Sequence, residues 1–336
     1  MKEAVVSKGP KVQIIDSPIP KPGPEQVIIK VVVSGSNPKD WKLPHWMDTT
    51  LNQGDDIAGI VHEVGENVYE FKPGDRVAAF HEMMTPGGSY AEYAVAWQHT
   101  TFHLAKHTSF EEAAAIPLAA MTSAIGLYLR LGLPQPWVQA TEPIPLVIYG
   151  AASAVGSYTI QLAQQSNIHP LICVAGRSSA HVEKLIDRSK GDVILDYRDG
   201  DDALVDKLKK AADGRPLLHA FDAVSEKGSY VNLSKVLSKG AKMTLVLPGQ
   251  DFSVIPPYIE HSLTSVGAAH KDAKDFGYVY FRYIARGLSE GWFKPQPQEV
   301  VSGGLGGIQQ ALENLMNGKA NAVKYIFRIL DTEGVN

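Results

Sequence analysis

One cysteine, Cys173, stands among the 336 residues, so no disulfide can close within the chain and no four-cysteine structural zinc site can be built. No apolar run approaches the ~20 residues that a membrane-spanning helix needs. Excess charge is missing as well. The formal net charge is -4 and Lys and Arg nowhere form a dense cluster, which gives nucleic acid and anionic membrane surfaces little to hold. The N-terminus, Met1-Lys2-Glu3-Ala4-Val5-Val6, enters a short strand pattern without the apolar stretch and cleavage site of a signal peptide, so a cytoplasmic location is expected. The histidines are scattered, and His62-Glu63 has no second His four residues on. It is therefore no helical zinc motif and reads as part of the strand Ile60-Val61-His62-Glu63-Val64. What the chain does have is 44% hydrophobic and 20% charged residues, the balance of a globular protein, over a length that usually divides into two cores.

The first 120 residues read as strands cut by Gly and Pro, such as Gln26-Val27-Ile28-Ile29-Lys30-Val31-Val32-Val33 and Asp75-Arg76-Val77-Ala78-Ala79-Phe80, with little helical periodicity. From Phe110 the texture turns helical, through Glu111 to Ile116 and then Thr122 to Leu131. Pro134, Pro136, Pro143 and Pro145 exclude helix ahead of the next strand. Strands are then predicted at Leu146 to Tyr149, Pro170 to Ala175, Val193 to Asp196, His219 to Asp222, Lys242 to Leu247 and Ser262 to Val266. Helices are predicted at Gly156 to Gln165 and near 179–189, 201–212 and 228–238. That alternation predicts a doubly wound α/β domain with a parallel sheet and a ligand crevice at the strands' carboxyl ends. An aromatic helix from Phe276 to Leu288, a Pro-broken strand, a helix from Gly307 to Met316 and a closing strand from Lys324 to Leu330 follow. Leu263 to Ala268 reads as an edge strand that either pairs two subunits or is capped in a monomer.

Gly150-Ala151-Ala152-Ser153-Ala154-Val155-Gly156 lies where a dinucleotide fingerprint belongs, after a strand and opening a helix, although two of that motif's three glycines are replaced. Small side chains still let backbone N-H groups and the helix dipole reach a pyrophosphate, which makes Ala152, Ser153, Ala154 and Val155 cofactor-binding candidates. The second strand ends Ala175-Gly176-Arg177-Ser178-Ser179, without the acid that usually bonds the ribose hydroxyls of NAD. Arg177 and Ser178 suit a 2'-phosphate instead, so NADPH is the expected cofactor. Tyr197, after the third strand, is placed to cover the same end of the cofactor, and Leu247 completes the candidates.

Four stretches carry more together than singly: Gly35-Ser36-Asn37-Pro38-Lys39-Asp40; Gly54-Asp55-Asp56-Ile57-Ala58-Gly59-Ile60-Val61 continuing to Gly74-Asp75-Arg76-Val77; Gly88-Ser89-Tyr90-Ala91-Glu92-Tyr93; and Glu112-Ala113-Ala114-Ala115-Ile116-Pro117. In this order and spacing they resemble the medium-chain dehydrogenase/reductases over essentially the whole chain. The resemblance implies an α/β protein made of a GroES-like β-barrel substrate domain (residues 1–120, completed by the return segment 271–336) and a Rossmann domain (121–270). The family's zinc-dependent branch would carry a Cys near Asn37 and Gly-His-Glu at Gly54-Asp55-Asp56; neither is present, so no metal is expected. Asn37-Pro38-x-Asp40 is similar to the quinone oxidoreductase and enoyl reductase branch. Lys42, the Pro-rich insertion, the substituted glycine loop and Asp196-Tyr197-Arg198 resemble, within it, the fungal trans-acting enoyl reductases of the lovastatin and TOXD-like type, which act beside polyketide synthases. The usual Gly-Lys-Lys near the C-terminus is here Ala322-Val323-Lys324.

Reduction of an activated C=C bond by NADPH needs no metal. It needs positioning, stabilisation of enolate charge and a proton for the α-carbon. The candidate catalytic residues are Lys42 as oxyanion partner or proton source, Asn37 as a polar orienter near the nicotinamide and Thr122 as its ribose or amide contact. Each has a plainer role, as a solvated lysine, a turn residue before Pro38 and a helix cap. Three functions stay open: an enoyl reductase acting on carrier-bound thioesters, with a polyketide synthase acyl carrier as partner; a quinone or free-enone reductase; and a non-catalytic NADPH-binding protein. A carrier would favour a basic entrance, for which Lys39, Lys42, Arg282 and Arg286 are the candidates.

Overall fold

A computed structural model describes residues 1–335 and divides the chain into two compact units: Met1–Met121 with Gly267–Asn336, and Thr122–Val266. In chain order the first unit opens with β1 (Lys2–Ser7), β2 (Lys11–Asp16), β3 (Gln26–Gly35), helix α1 (Lys39–Met47), β4 (Asp56–Val64), β5 (Arg76–Phe80), β6 (Tyr93–Trp97), β7 (Thr101–His103) and α2 (Phe110–Ala113). The helix α3 (Pro117–Ala124) leads to β8 (Leu146–Tyr149), α4 (Ala154–Gln165), β9 (Leu171–Ala175), α5 (Ser179–Glu183), β10 (Val193–Asp196), α6 (Asp201–Ala211), β11 (His219–Asp222), α7 (Ser229–Ser234), β12 (Lys242–Leu245) and β13 (Glu260–Leu263). The first unit is then completed by α8 (Lys274–Glu290), β14 (Gln298–Val300), α9 (Ile308–Met316) and β15 (Lys324–Arg328).

The second unit is the doubly wound domain. Its six parallel strands run β10-β9-β8-β11-β12-β13, the order that reverses direction between its first and fourth strands and so opens a crevice beyond β8 and β11. The central β8 and β9 are continuous apolar runs buried on both faces, and Val147, Ile172, Ala220 and Met243 share one core with Leu204, Leu208 and Leu233 from the helices. The first unit holds a seven-stranded sheet in the path β14-β15-β3-β4-β5-β7, with β6 also on β3. The C-terminal β15 pairs antiparallel with β3, which is why the return segment belongs to the N-terminal unit. α9 buries Ile308, Ala311 and Leu312 at helical spacing against that sheet's core. Each fully buried Ile or Leu is worth roughly 1.5–3 kcal/mol relative to exposure.

Several elements depart from the pattern of the sequence. α1 lies in a stretch that reads as strand and loop, because Pro44 interrupts it and only Asp40 and Pro44 are fully buried, so no apolar stripe advertises it. The helix expected over 179–189 stops at Glu183, and Arg188–Lys190 forms a separate 3-10 turn held by the Asp187 side chain. β12 ends at Leu245, leaving Leu247 in the following loop, and β13 occupies Glu260–Leu263 rather than Ser262 to Val266. Leu263 to Ala268 is not an edge strand, since Val266–His270 is a 3-10 turn. Beyond α3 the backbone widens into a π segment, Ile125–Arg130, where a Cβ on Gly126 would overlap the Phe221 ring. Among the described residues no helix is long and apolar enough to cross a membrane.

Candidate active site

In the second unit the chain turns at Gly150, whose φ of 76° is the left-handed region that favours glycine. A Cβ there would meet Val224, 2.6 Å away, from the loop beyond β11. Ser153 caps α4 by accepting from the Gly156 amide at 3.0 Å, and a Cβ at Gly156 would collide with the Gly150 carbonyl. The turn thus works with small side chains because its two arms pack in contact, and Ala152 leads through the cap into the first turn of a 12-residue helix, where the amides of Ala154 and Val155 have no intrahelical partner. That is the architecture a pyrophosphate needs. The Ser153 amide donates to the Gly150 carbonyl at 2.9 Å and its hydroxyl accepts in the cap, so what this residue can offer a phosphate is its hydroxyl proton.

At the end of β9, Arg177 is exposed and Ser178 half-exposed. Tyr197 follows β10 with 46% of its surface exposed. Its ring lies against Gly176, where a Cβ would come within 2.6 Å, and 6.5 Å from the ring of Tyr149. Burial, then the nearby Asp222, pushes the Tyr149 phenol up to about 12. Arg177, Ser178 and Tyr197 therefore gather at one end of the sheet. Leu247 is half-buried in the loop past β12. Thr122 is buried within α3 rather than at its cap. Asp222, at the end of β11, holds its loop through Ser229 (2.6 Å), Ser225 N (2.8 Å) and Val224 N (3.0 Å), and burial lifts its carboxyl to about 6.

The first unit contains a buried charge network that the sequence pattern did not disclose. Asn37, directly after β3, donates from Nδ2 to Asp56 Oδ2 at 2.8 Å, while Lys324 Nζ donates to Asn37 Oδ1 and to Asp56 Oδ2, each at 2.7 Å. Asp56 Oδ1 accepts from the Leu118 amide at 2.7 Å. The Asn37 backbone amide and the Tyr90 hydroxyl both donate to Asp40 Oδ2 at 2.6 Å. Lys39 then ties Asp40 (3.0 Å), Asp55 and the Gln53 carbonyl (2.5 Å) together. Burial pushes the Asp55 carboxyl up to about 6 although Lys39 opposes it, and burial raises Asp40 as well. For Lys39 burial acts downward, but the two carboxylates outweigh it and hold the ammonium above its usual range. Lys42 is half-buried one turn along α1, its Nζ 5.5 Å from the centroid of the Trp41 ring.

The four basic residues named for a carrier entrance do not form one free patch. Arg282 is forked onto Glu70 at 3.2 and 2.5 Å, Arg286 pairs with Glu290 at 2.7 Å, and Lys39 is buried among carboxylates.

Residues 23–106 match the model of the alcohol dehydrogenase GroES-like domain. The trans-enoyl reductase fsr4 of Gibberella fujikuroi is 56% identical over 308 residues, covering 90% of this chain and 91% of that protein. The chain belongs to the trans-enoyl reductase family. A second member, the trans-enoyl reductase ACTTS2 of Alternaria alternata, is 30% identical over 97% of this chain and 98% of its own. These relatives bear out the resemblance carried by the Asn37 to Asp40 and Gly54 to Gly59 motifs. Among solved structures, a putative zinc-dependent alcohol dehydrogenase of Rhizobium etli superposes with a TM-score of 0.84 over 98% of both chains at 20% identity. That likeness is one of fold. An oxidoreductase family of this fold implies a nicotinamide cofactor, and the small-residue Gly150–Gly156 turn opening helix α4 fits one. Lys39, Asp55, Asp56, Tyr90 and Lys324 are the network residues whose importance the sequence did not reveal. The one signal available was Lys324 itself, a lysine heading a strand whose next three residues, Tyr325, Ile326 and Phe327, are all buried, since a buried lysine must be paired.

Proposed function

We propose that the chain is an NADPH-dependent, metal-independent enoyl reductase acting on polyketide-type enoyl thioesters presented by an acyl carrier. The observation that carries this is the 56% identity to a trans-enoyl reductase over 90% of the chain. When bound, NADPH supplies the hydride that adds to the β-carbon. The loop of Ala152 and Ser153, with the first-turn amides of Ala154 and Val155, holds the pyrophosphate. Arg177 and Ser178 take the 2'-phosphate, Tyr197 covers that end, and Leu247 supplies apolar contact along the cofactor. The preference for NADPH is supported by an exposed Arg at the end of β9, where NAD-binding sites carry an acid.

As the β-carbon gains the hydride, the C=C electron pair moves toward the thioester carbonyl and forms an enolate. Lys42 holds that oxygen through its ammonium and is the source of the proton that completes the α-carbon. Asn37 donates its remaining amide proton to the bound ligand, and Thr122 fixes the nicotinamide ribose or amide. Metal independence is supported by Lys39. Its ammonium is the cation that Asp40, Asp55 and the Gln53 carbonyl already share.

Purified protein assayed by loss of reduced-nicotinamide absorbance, with NADPH or NADH against a crotonyl-type thioester, a free enone and a simple quinone, tests the proposal. Thioester turnover that prefers NADPH, survives chelator and falls in Lys42→Ala is expected. Turnover of the quinone alone assigns the chain a quinone reductase activity, and loss of activity on chelation removes metal independence.

A further inference from the structure

We propose that Lys324 is a positioning residue of this site, acting through Asn37. The inference rests on the enoyl reductase function above. Lys324 is 5% exposed and Asn37 3%, so neither polar head has solvent to satisfy it, and each must find partners inside the protein. They find each other. The ammonium lies 2.7 Å from Asn37 Oδ1 and 2.7 Å from Asp56 Oδ2, while Asn37 Nδ2 donates to the same carboxylate oxygen at 2.8 Å.

This three-cornered arrangement determines which way the carboxamide faces. A carboxamide has two nearly isosteric orientations. Here one places its oxygen on a cation and its NH2 on an anion, and the other places NH2 against ammonium and oxygen against carboxylate. The charges of Lys324 and Asp56 select the first. Two consequences follow. One N-H of Asn37 is consumed by Asp56, and the other has its direction fixed in advance, so Asn37 meets an incoming carbonyl as a preorganised donor. Asp56, held by Lys324, also uses its second oxygen to accept the Leu118 amide at 2.7 Å. Leu118 lies in the first turn of α3, where a carboxylate also gains from the helix dipole. A single ammonium supplied by the closing strand therefore sets the orientation of Asn37. Without it Asp56 is a buried anion with no cation beside it, and the Asn37 carboxamide is free to turn.

The test compares Lys324→Met and Lys324→Arg with wild type, each also in an Asn37→Ala background, by kcat and KM on the crotonyl thioester, NADPH titration, thermal unfolding, and the side-chain amide resonances of Asn37 in isotope-labelled protein. Lys324→Met is expected to lower kcat roughly ten- to a hundredfold, leave NADPH affinity unchanged and shift the Asn37 amide resonances. Lys324→Arg, which keeps the charge, recovers part of kcat. In the Asn37→Ala background Lys324→Met brings no further loss of kcat, because the group it acts through is gone. Equal losses of kcat in the two backgrounds, or unmoved resonances, overturn the inference and reduce Lys324 to a structural ion pair. Should Lys324→Met fail to fold, the same non-additivity is required of Lys324→Arg. A wild type that turns over no thioester removes the enoyl reductase function, and the Asn37 resonances then decide the role of Lys324 by themselves.

Discussion

Replacing Lys39 by Met should destabilise the first unit in a way that acid reverses. Lys39 is 17% exposed at its side chain, and its partners Asp40 and Asp55 are 0% and 1% exposed, so the substitution strands two carboxylates in the interior. Removing one partner of such a buried group typically costs about 3–5 kcal/mol, and for a domain of this size each kcal/mol lowers Tm by about 2–4 °C. A fall of roughly 10 °C at pH 8 follows. The pH dependence identifies the cause. In the native chain the folded-state Asp55 titrates at about 6 against an ordinary 3.8, and a carboxyl raised on folding withdraws stability as pH climbs from its unfolded value to its folded one. Lys39 is what keeps Asp55 from rising further. Without Lys39 the penalty no longer levels off near pH 6, and the variant loses a further ~1.4 kcal/mol per pH unit per carboxyl relative to wild type. Below pH 6 Asp55 is protonated in both proteins and its share of the deficit closes. Thermal unfolding followed by circular dichroism at pH 5 and pH 8 reads this directly, and Lys39→Met/Asp55→Asn, which removes one stranded charge, should recover most of the loss at pH 8. A deficit equal at both pH values, or no rescue by the second substitution, would refute an electrostatic role and leave only lost packing of the lysine stem.

Two further outcomes follow from the second unit. Arg177→Ala should raise the Kd for NADPH roughly ten- to a hundredfold, the worth of a charge-assisted hydrogen bond, and leave NADH binding nearly unchanged; equal weakening in fluorescence titrations of both cofactors would remove Arg177 from the 2'-phosphate. Asp222, lifted by burial to about 6 from 3.8, withdraws up to about 3 kcal/mol of stability between pH 4 and pH 6. Asp222→Asn should flatten that part of the pH profile in urea unfolding, and an unaltered slope would show that another group produces it.

The doubly wound unit was legible because its signals are local. Val147 and Ile172 sit in short apolar runs of strand length that alternate with helical stretches, the pattern of strands covered on both faces. The errors fall where a local pattern met a long-range constraint. β13 extends only where Glu260 to Leu263 lie in register with Lys242 to Leu245, a condition unreadable from residues 260–266 alone. α1 was missed for the opposite reason. It is held by polar groups at its N-terminal end, Asp40 beneath Tyr90 and Lys39 between two carboxylates, so the apolar periodicity that marks a helix is weak in it.

The same division explains the site. Arg177, Ser178, Tyr197 and the Gly150–Gly156 turn follow from position at strand ends, and the structure gathers them at one end of a single sheet. Lys324 pairs with residues 287 and 268 positions away in the chain, and nothing in Ala322-Val323-Lys324 announces that. Yet the physical reason it must pair is elementary. β15 joins β3 with Tyr325, Ile326 and Phe327 buried, its first residue has no path to solvent, and an ammonium so placed requires an anion and an acceptor. Asp56 and Asn37, at the adjoining ends of β4 and β3, are those groups. Two lysines, Lys39 and Lys324, thus lie among the three buried carboxylates Asp40, Asp55 and Asp56. Three carboxylates against two ammonium groups leave one more anion than cation, and the neutral donors of Asn37, Leu118 and Tyr90 complete the set.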